Sequence, residues 1–354
     1  MLEYITMSEA PNLPELQEPE HICLIDRVDA TTLRIGTSAA GIALALTAVV
    51  LVGKTESKDP LGLVSLAAET AAACSPIDAD LINKYEAAIT PAPGKEIVQK
   101  DLPVLQDRSI TAERRAQKYG VHLALDSEKA VHDILHATPQ TGLIKADEYT
   151  TRTYGFKMIS RDIDPERSQI DAAELIDHLH TIPTELIRDI TKEDAKEVIL
   201  GDDSLQGDAV GDYGNSTKVI RLKPGETKSI AHELIGHGLA RTSSRKHCHI
   251  PSQNHVPSIE AANPPGFTYN GLDKWRNANN WQGITFTRYG SSIPPEDFAD
   301  GMATLTGTID EWPNFQQSET IRLKTAVSLA TMAEIDSNVA DFYTGYVNEM
   351  SSVS

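Results

Sequence analysis

Two histidines and a glutamate stand together in the otherwise apolar run from Ser229 to Arg241: His232, Glu233 and His237. Neutral imidazole is a common zinc ligand, and a carboxylate beside it can take a proton from water on the metal. The motif His-Glu-x-x-His spaces its histidines four apart, on one helix face. Here they are five apart. At about 100° per residue an ideal α-helix turns roughly 500° over that distance, which points the two rings about 140° apart. Both can face one ion only if the helix carries one extra residue as a π-type bulge, a distortion that tends to mark functional sites. Gly236, directly before the second histidine, tolerates such a distortion.

A second constellation follows downstream. Pro294 and Pro295 suit the first turn of a helix, and Glu296-Asp297-Phe298-Ala299-Asp300 comes next. Glu296 and Asp300 share one face at i,i+4, while Phe298, Met302 and Leu305 form the opposing core stripe. An acidic first turn is favoured by the helix dipole alone; the histidine helix upstream makes a ligand role the better reading. Hydrolytic zinc needs three protein ligands and one open position. His232, His237 and Glu296 fill that need with one zinc per chain; His247 and His249, in a polar loop, are rivals for the third place. Asp300 would accept a hydrogen bond from a ligand histidine and fix its tautomer. Glu233 would be the general base. Tyr289, seven residues before Glu296, is the candidate donor to the oxyanion, with Tyr213 as fallback.

These side chains need a scaffold. The 354 residues suffice for one or two domains with a substantial core. With 51 acidic residues against 32 basic ones, a nucleic-acid partner is excluded as the main ligand. The three scattered cysteines suggest no disulfide framework and favour a reducing compartment. Residues 1–33 read as a disordered acidic tail. Ile35 to Gly53 is a run of 19 residues without a charge; as a helix it spans about 28 Å, close to a bilayer core of roughly 30 Å. Residues 34–54 therefore read as a transmembrane helix of undetermined orientation, the alternative being a buried Ala-rich helix. Residues 55–105 read as a spacer with a short helix at Ala79 to Ala88. From 106 onward the texture is globular: helices at Ile110 to Tyr119, Ser127 to Leu135, Ala172 to Leu179 and Pro183 to Ile190, and a strand at Tyr149 to Ser160. Gly211 to Thr217 is turn-rich and includes Tyr213 and Asn215, assigned to a substrate groove. A short strand follows at Lys218 to Leu222, with Thr227 as N-cap of the histidine helix. Thr242 to Gly283 is a long polar loop, either substrate-gating or a solvated insert. Ile284 to Tyr289 reads as a strand, and Glu319 to Ala333 and Val339 to Met350 as closing helices. The class is α+β, mostly helical with a small sheet.

The histidine helix followed by a helix bearing a glutamate and a second acid resembles the gluzincin class of zinc metallopeptidases. His232-Glu233-Leu234-Ile235-Gly236-His237 resembles the motif of the dipeptidyl peptidase III family, which binds zinc despite the same one-residue insertion. Arg288-Tyr289-Gly290 through Glu296-Asp297-Phe298-Ala299-Asp300 resembles the anthrax lethal factor class of toxin peptidases, with its tyrosine at the same distance from the ligand glutamate. The resemblance covers about Gly211 to Ala303, and Asp300 departs from it in being shorter than the usual glutamate. It implies a zincin-like domain over residues 106–354 that hydrolyses peptide bonds in a peptide or protein substrate; the apolar segment 34–54 would tether it to a membrane, while the likeness to small bacterial effector proteases leaves a secreted role open. The alternative function is a catalytically silent zinc-binding module acting as a membrane-tethered binding or effector protein.

Overall fold

The computed structural model describes residues 75–89, 105–205, 209–214, 217–248, 257–272, 274–307 and 318–352. The tail, the apolar segment Ile35 to Gly53, most of the spacer, Asn215, His249 and His255 lie outside them. Among the described residues no helix is long and apolar enough to cross a membrane.

Within the compact unit that begins at Ala72, the described elements are helical around one small sheet. In chain order they are α1 (Ala79–Ala88), α2 (Leu105–Tyr119), α3 (Ser127–Leu135), α4 (Pro139–Thr153), β1 (Lys157–Ser160), α5 (Pro165–Leu179), α6 (Thr184–Glu193), β2 (Glu197–Leu200), β3 (Gly211–Gly214) and β4 (Val219–Leu222). A π-helical turn over Ala231–His237 runs directly into α7 (Gly238–His247), and α8 (Pro257–Ala261), α9 (Pro294–Leu305), α10 (Glu319–Ala333) and α11 (Ser337–Ser352) complete the chain. The α+β class with mostly helical content is as expected.

Local chemistry sets several boundaries. Asp164 caps α5 by accepting from the amides of Glu166 and Arg167, and Pro165 occupies the first turn, where its missing N–H is not needed. Ser318 caps α10 through the amide of Ile321. α4 ends where Tyr154 donates back to Thr150 and Gly155 takes φ +85°, so the expected strand is confined to Lys157–Ser160 and the stretch from Tyr149 to Thr153 is helical. Thr227 does not cap the histidine helix: it begins a 3-10 turn, Thr227–Ser229, and its hydroxyl donates to Glu174.

The sheet runs in the order β1-β2-β4-β3. β1, β2 and β4 are parallel, and β3 pairs antiparallel with β4 at the edge, with Tyr213 opposite Ile220. Val198, Leu200, Ile220 and Leu222 are buried against Leu175, Ile176, Ile187 and Ile190 of the flanking helices. The same core takes in Ile230, Leu234, Ile235 and Leu239 from the histidine segment and Phe298 and Met302 from α9. The helix Ala79–Ala88, expected in the spacer, packs against α10: Tyr85 is fully buried and donates to Asp341, and Arg322 reaches Glu86 at 3.2 Å.

Cys248, at the end of α7, is disulfide-bonded, contrary to the expectation drawn from scattered cysteines. A single bridge to a distant residue leaves no spacing signature. Cys23 and Cys74 lie outside the described residues, and Ser75, next to Cys74, donates its amide to the carbonyl of His247 at 2.8 Å.

Candidate metal centre

The histidine segment is a π turn from Ala231 to His237. Its wider turn, closed by i→i+5 hydrogen bonds, absorbs the fifth residue of spacing and turns both rings to the same side, with centroids 4.9 Å apart. Gly236 makes this possible at close quarters: a Cβ there would lie 2.5 Å from the Cα of Ala299 on α9. The turn and the acidic helix thus meet backbone to backbone. Gly236→Ala must force them apart, with an expected cost of about 1–3 kcal/mol readable in urea unfolding, and weaker zinc binding because Glu296 retreats with α9.

The approach delivers three ligand-type atoms to one place. Nε2 of His232 lies 3.0 Å, and Nε2 of His237 3.4 Å, from Oε2 of Glu296. Two atoms about 2.05 Å from a tetrahedral zinc are about 3.3 Å apart, so both separations are those of an edge of such a site. Asp300 accepts from Nδ1–H of His232 at 2.9 Å, and Nε2 of the same ring faces Glu296. Nδ1 of His237 is buried without a hydrogen-bond partner, so this ring, unlike that of His232, is oriented only through its Nε2 side. Glu233 is also near: its carboxylate and the two imidazoles have ligand atoms within 4.8 Å of one another. Its Oε2 is nonetheless 4.0 Å from His237 Nε2, farther than Glu296, and a position one step back from the ligands suits a base. The donor set fits zinc: two imidazoles and a carboxylate, with a further buried carboxylate beside them.

The electrostatics follow from burial and pairing. Burial alone would lower the pKa of His232, but its hydrogen bonds to Asp300 and Glu296 and the charge of Glu233 carry it well above the ordinary value. Burial would likewise raise Glu296, yet His237 and His232 hold it well below the usual carboxylate range. Glu233 is pushed up by burial, against the opposing pull of the two histidines. A buried carboxylate with a raised pKa is suited to accepting a proton near neutrality.

Tyr289 begins a 3-10 turn, Tyr289–Ser291, rather than ending a strand; Ile284 to Arg288 form turns and bends. Among the described residues no partner strand lies beside them. Instead the Phe286 amide donates to Asp297, and Ile284 and Thr285 donate to the carbonyl of Trp281. The position of Tyr289 survives this change. Its ring centroid is 6.0 Å from that of His232, and burial followed by the charge of Glu296, to which its hydroxyl hydrogen-bonds, raises its pKa. The Tyr213 ring lies 6.3 Å from that of His237, tilted rather than stacked, but it is buried in β3, and the charges acting on its hydroxyl are Asp194, Arg241 and Arg245. Of the rival ligands, His247 is engaged elsewhere, at 2.6 Å from Glu334. The groove residue Asn215 lies outside the described residues. The other groove element is β3: a Cβ on Gly211 would lie 2.9 Å from Oε1 of Glu233, which sets this edge strand directly beside the carboxylate.

One residue with no spacing signal proves central to the site's support. Asp297, between Glu296 and Asp300, is fully buried and ion-paired with fully buried Lys324 of α10 at 2.5 Å. The same carboxylate accepts from the hydroxyl of Tyr269 at 2.9 Å and the amide of Phe286 at 3.2 Å. Asn270 and Gly271 donate to the carbonyls of Ser291 and Ser292. Tyr269 to Gly271 of the long polar loop are therefore fastened to α9 and the turn that precedes it. Comparison with protein-family models, with curated proteins and with solved structures finds no match to this chain.

Proposed function

We propose that this chain is a zinc-dependent peptidase of gluzincin type. The observation that carries the reading is the convergence of His232 and His237 on one oxygen of Glu296 across a π turn. Zinc held by these three residues would polarise the scissile carbonyl and lower the pKa of a water in its open position. The Glu233 carboxylate takes one proton from the attacking water as the carbon–oxygen bond forms and the carbonyl π pair moves to oxygen; it then delivers that proton to the amine nitrogen, and the carbon–nitrogen bond breaks as the carbonyl reforms. The Tyr289 hydroxyl donates to the oxygen that gains charge in the tetrahedral intermediate. Asp300 keeps the His232 ring in the tautomer whose Nε2 faces the site. β3, beside Glu233, offers the edge along which an extended peptide would lie. The membrane tether belongs to the same proposal and rests on the sequence of Ile35 to Gly53 alone.

Elemental analysis tests the centre. The purified chain is expected to hold about one zinc, and His232→Ala to lose it. Added zinc should raise the unfolding temperature of metal-depleted protein, since a ligand that binds only the folded state stabilises it. Zinc without any cleavage of a peptide library would favour the silent binding module instead; protein purified without zinc and unresponsive to it would remove both readings.

A further inference from the structure

Asp300 has two oxygens, and only one serves His232. The other accepts from the hydroxyl of Thr287. Thr287 and Asp300 are both buried, at 9% and 4% exposure. The Thr287 oxygen in turn accepts from the amide of Gly290 at 3.0 Å, and its carbonyl accepts from the hydroxyl of Thr285 at 2.8 Å. Thr287 and Gly290 bracket Tyr289. One hydroxyl therefore touches both halves of the candidate machinery: the carboxylate that orients a ligand histidine, and the turn that presents the oxyanion donor.

We propose that Thr287 is a positioning residue that locks the His232 ring and the Tyr289 turn into a single register through Asp300. The inference deepens the zinc peptidase reading and rests on it. The hydroxyl's single proton is committed to Asp300, because its oxygen already accepts from Gly290. With Thr287 in place, Asp300 Oδ2 is satisfied and the carboxylate is held against rotation about its Cβ–Cγ bond. The other oxygen then stays on the line of His232 Nδ1–H, and Nε2 stays aimed at Glu296. Without the hydroxyl, a buried carboxylate oxygen and the Gly290 amide both lose their partner in the same move. The carboxylate can then turn, and the Tyr289 turn loosens independently of the histidine. Partners one step behind metal ligands commonly set affinity by such orientation.

The test is zinc affinity by competition with a chromogenic chelator, together with the visible spectrum of cobalt-loaded protein. Thr287→Val keeps the shape and removes the hydroxyl; it is expected to weaken zinc binding about 10-fold and to alter the cobalt spectrum, whereas Thr287→Ser should stay within about 2-fold of the parent. Thr304→Val is the control. That hydroxyl is also buried on α9 but donates to the Asp300 backbone carbonyl at 2.7 Å, so a general cost of removing a buried threonine hydroxyl would show equally there. Loss of affinity in Thr287→Ser, or equal losses in Thr287→Val and Thr304→Val, would assign the effect to packing and overturn the proposal. Should Thr287→Val fail to fold, Thr287→Ser against Thr287→Ala makes the same comparison. A zinc-binding parent with an equally tight Thr287→Val sinks this inference alone. A parent that takes up no zinc sinks the metal centre and the inference together.

Discussion

Glu233→Gln is expected to lower peptide cleavage by about 10²–10⁴-fold or more while zinc content stays at the parental level. The amide keeps the volume and removes the site that accepts the proton. Glu233 stands back from the ligand cluster, 4.0 Å from His237 against 3.4 Å for Glu296, so the metal should not notice the change. Burial already disfavours the Glu233 charge. The variant should therefore be at least as stable as the parent, because a neutral amide is less costly to bury than a carboxylate. Activity and stability are expected to move in opposite directions, as is common where a site is kept for function. Cleavage at the parental rate would remove Glu233 as base. Loss of zinc would instead put Glu233 among the ligands, the arrangement in which its carboxylate rather than that of Glu296 completes the set.

Lys324→Met is expected to destabilise the fold by about 3–5 kcal/mol, because it leaves the Asp297 carboxylate buried without its counter-ion. Both partners are fully buried and 2.5 Å apart, so solvent cannot substitute for the lost ammonium. The damage should also reach the metal. Asp297 neighbours Glu296 and holds Phe286 and Tyr269, and a strained first turn of α9 would misplace the carboxylate ligand. Urea unfolding and zinc affinity measured on the same protein check the two parts. The double change Asp297→Asn with Lys324→Met should recover part of the stability, since it removes the uncompensated charge. A single variant as stable as the parent would show that the pair contributes nothing net.

What could be read from the chain alone follows a physical line. Helices with a local signature were legible: Ala79–Ala88 and Glu319–Ala333 have the extents expected from their periodicity and flanking residues. The π turn was legible too, from a five-residue spacing that only a bulge reconciles with one ion. Strands fared worse. Gly211–Gly214 begins and ends in glycine and reads as a turn; it is a strand because β4 offers it a partner. Ile284 to Tyr289 alternates like a strand but has no neighbouring strand among the described residues, and its donors go to Asp297 and Trp281. Pairing is a tertiary fact that alternation cannot supply. The Asp297–Lys324 pair was invisible for the same reason, since the two residues stand on separate helices 27 positions apart.

The bulge has a further consequence, which concerns helical phase. An inserted residue in a helix can in principle wander, because each neighbouring turn can take up the excess. Here both sides are pinned. Upstream, His232 is held by Asp300; downstream, Arg241 and Arg245 of α7 both reach buried Asp194, at 3.2 Å and 2.7 Å. Between these two anchors the surplus residue has nowhere to go. The irregularity is a stationary dislocation, trapped over Ala231–His237, with the two histidine rings turned to one side and an ordinary helical register following in α7.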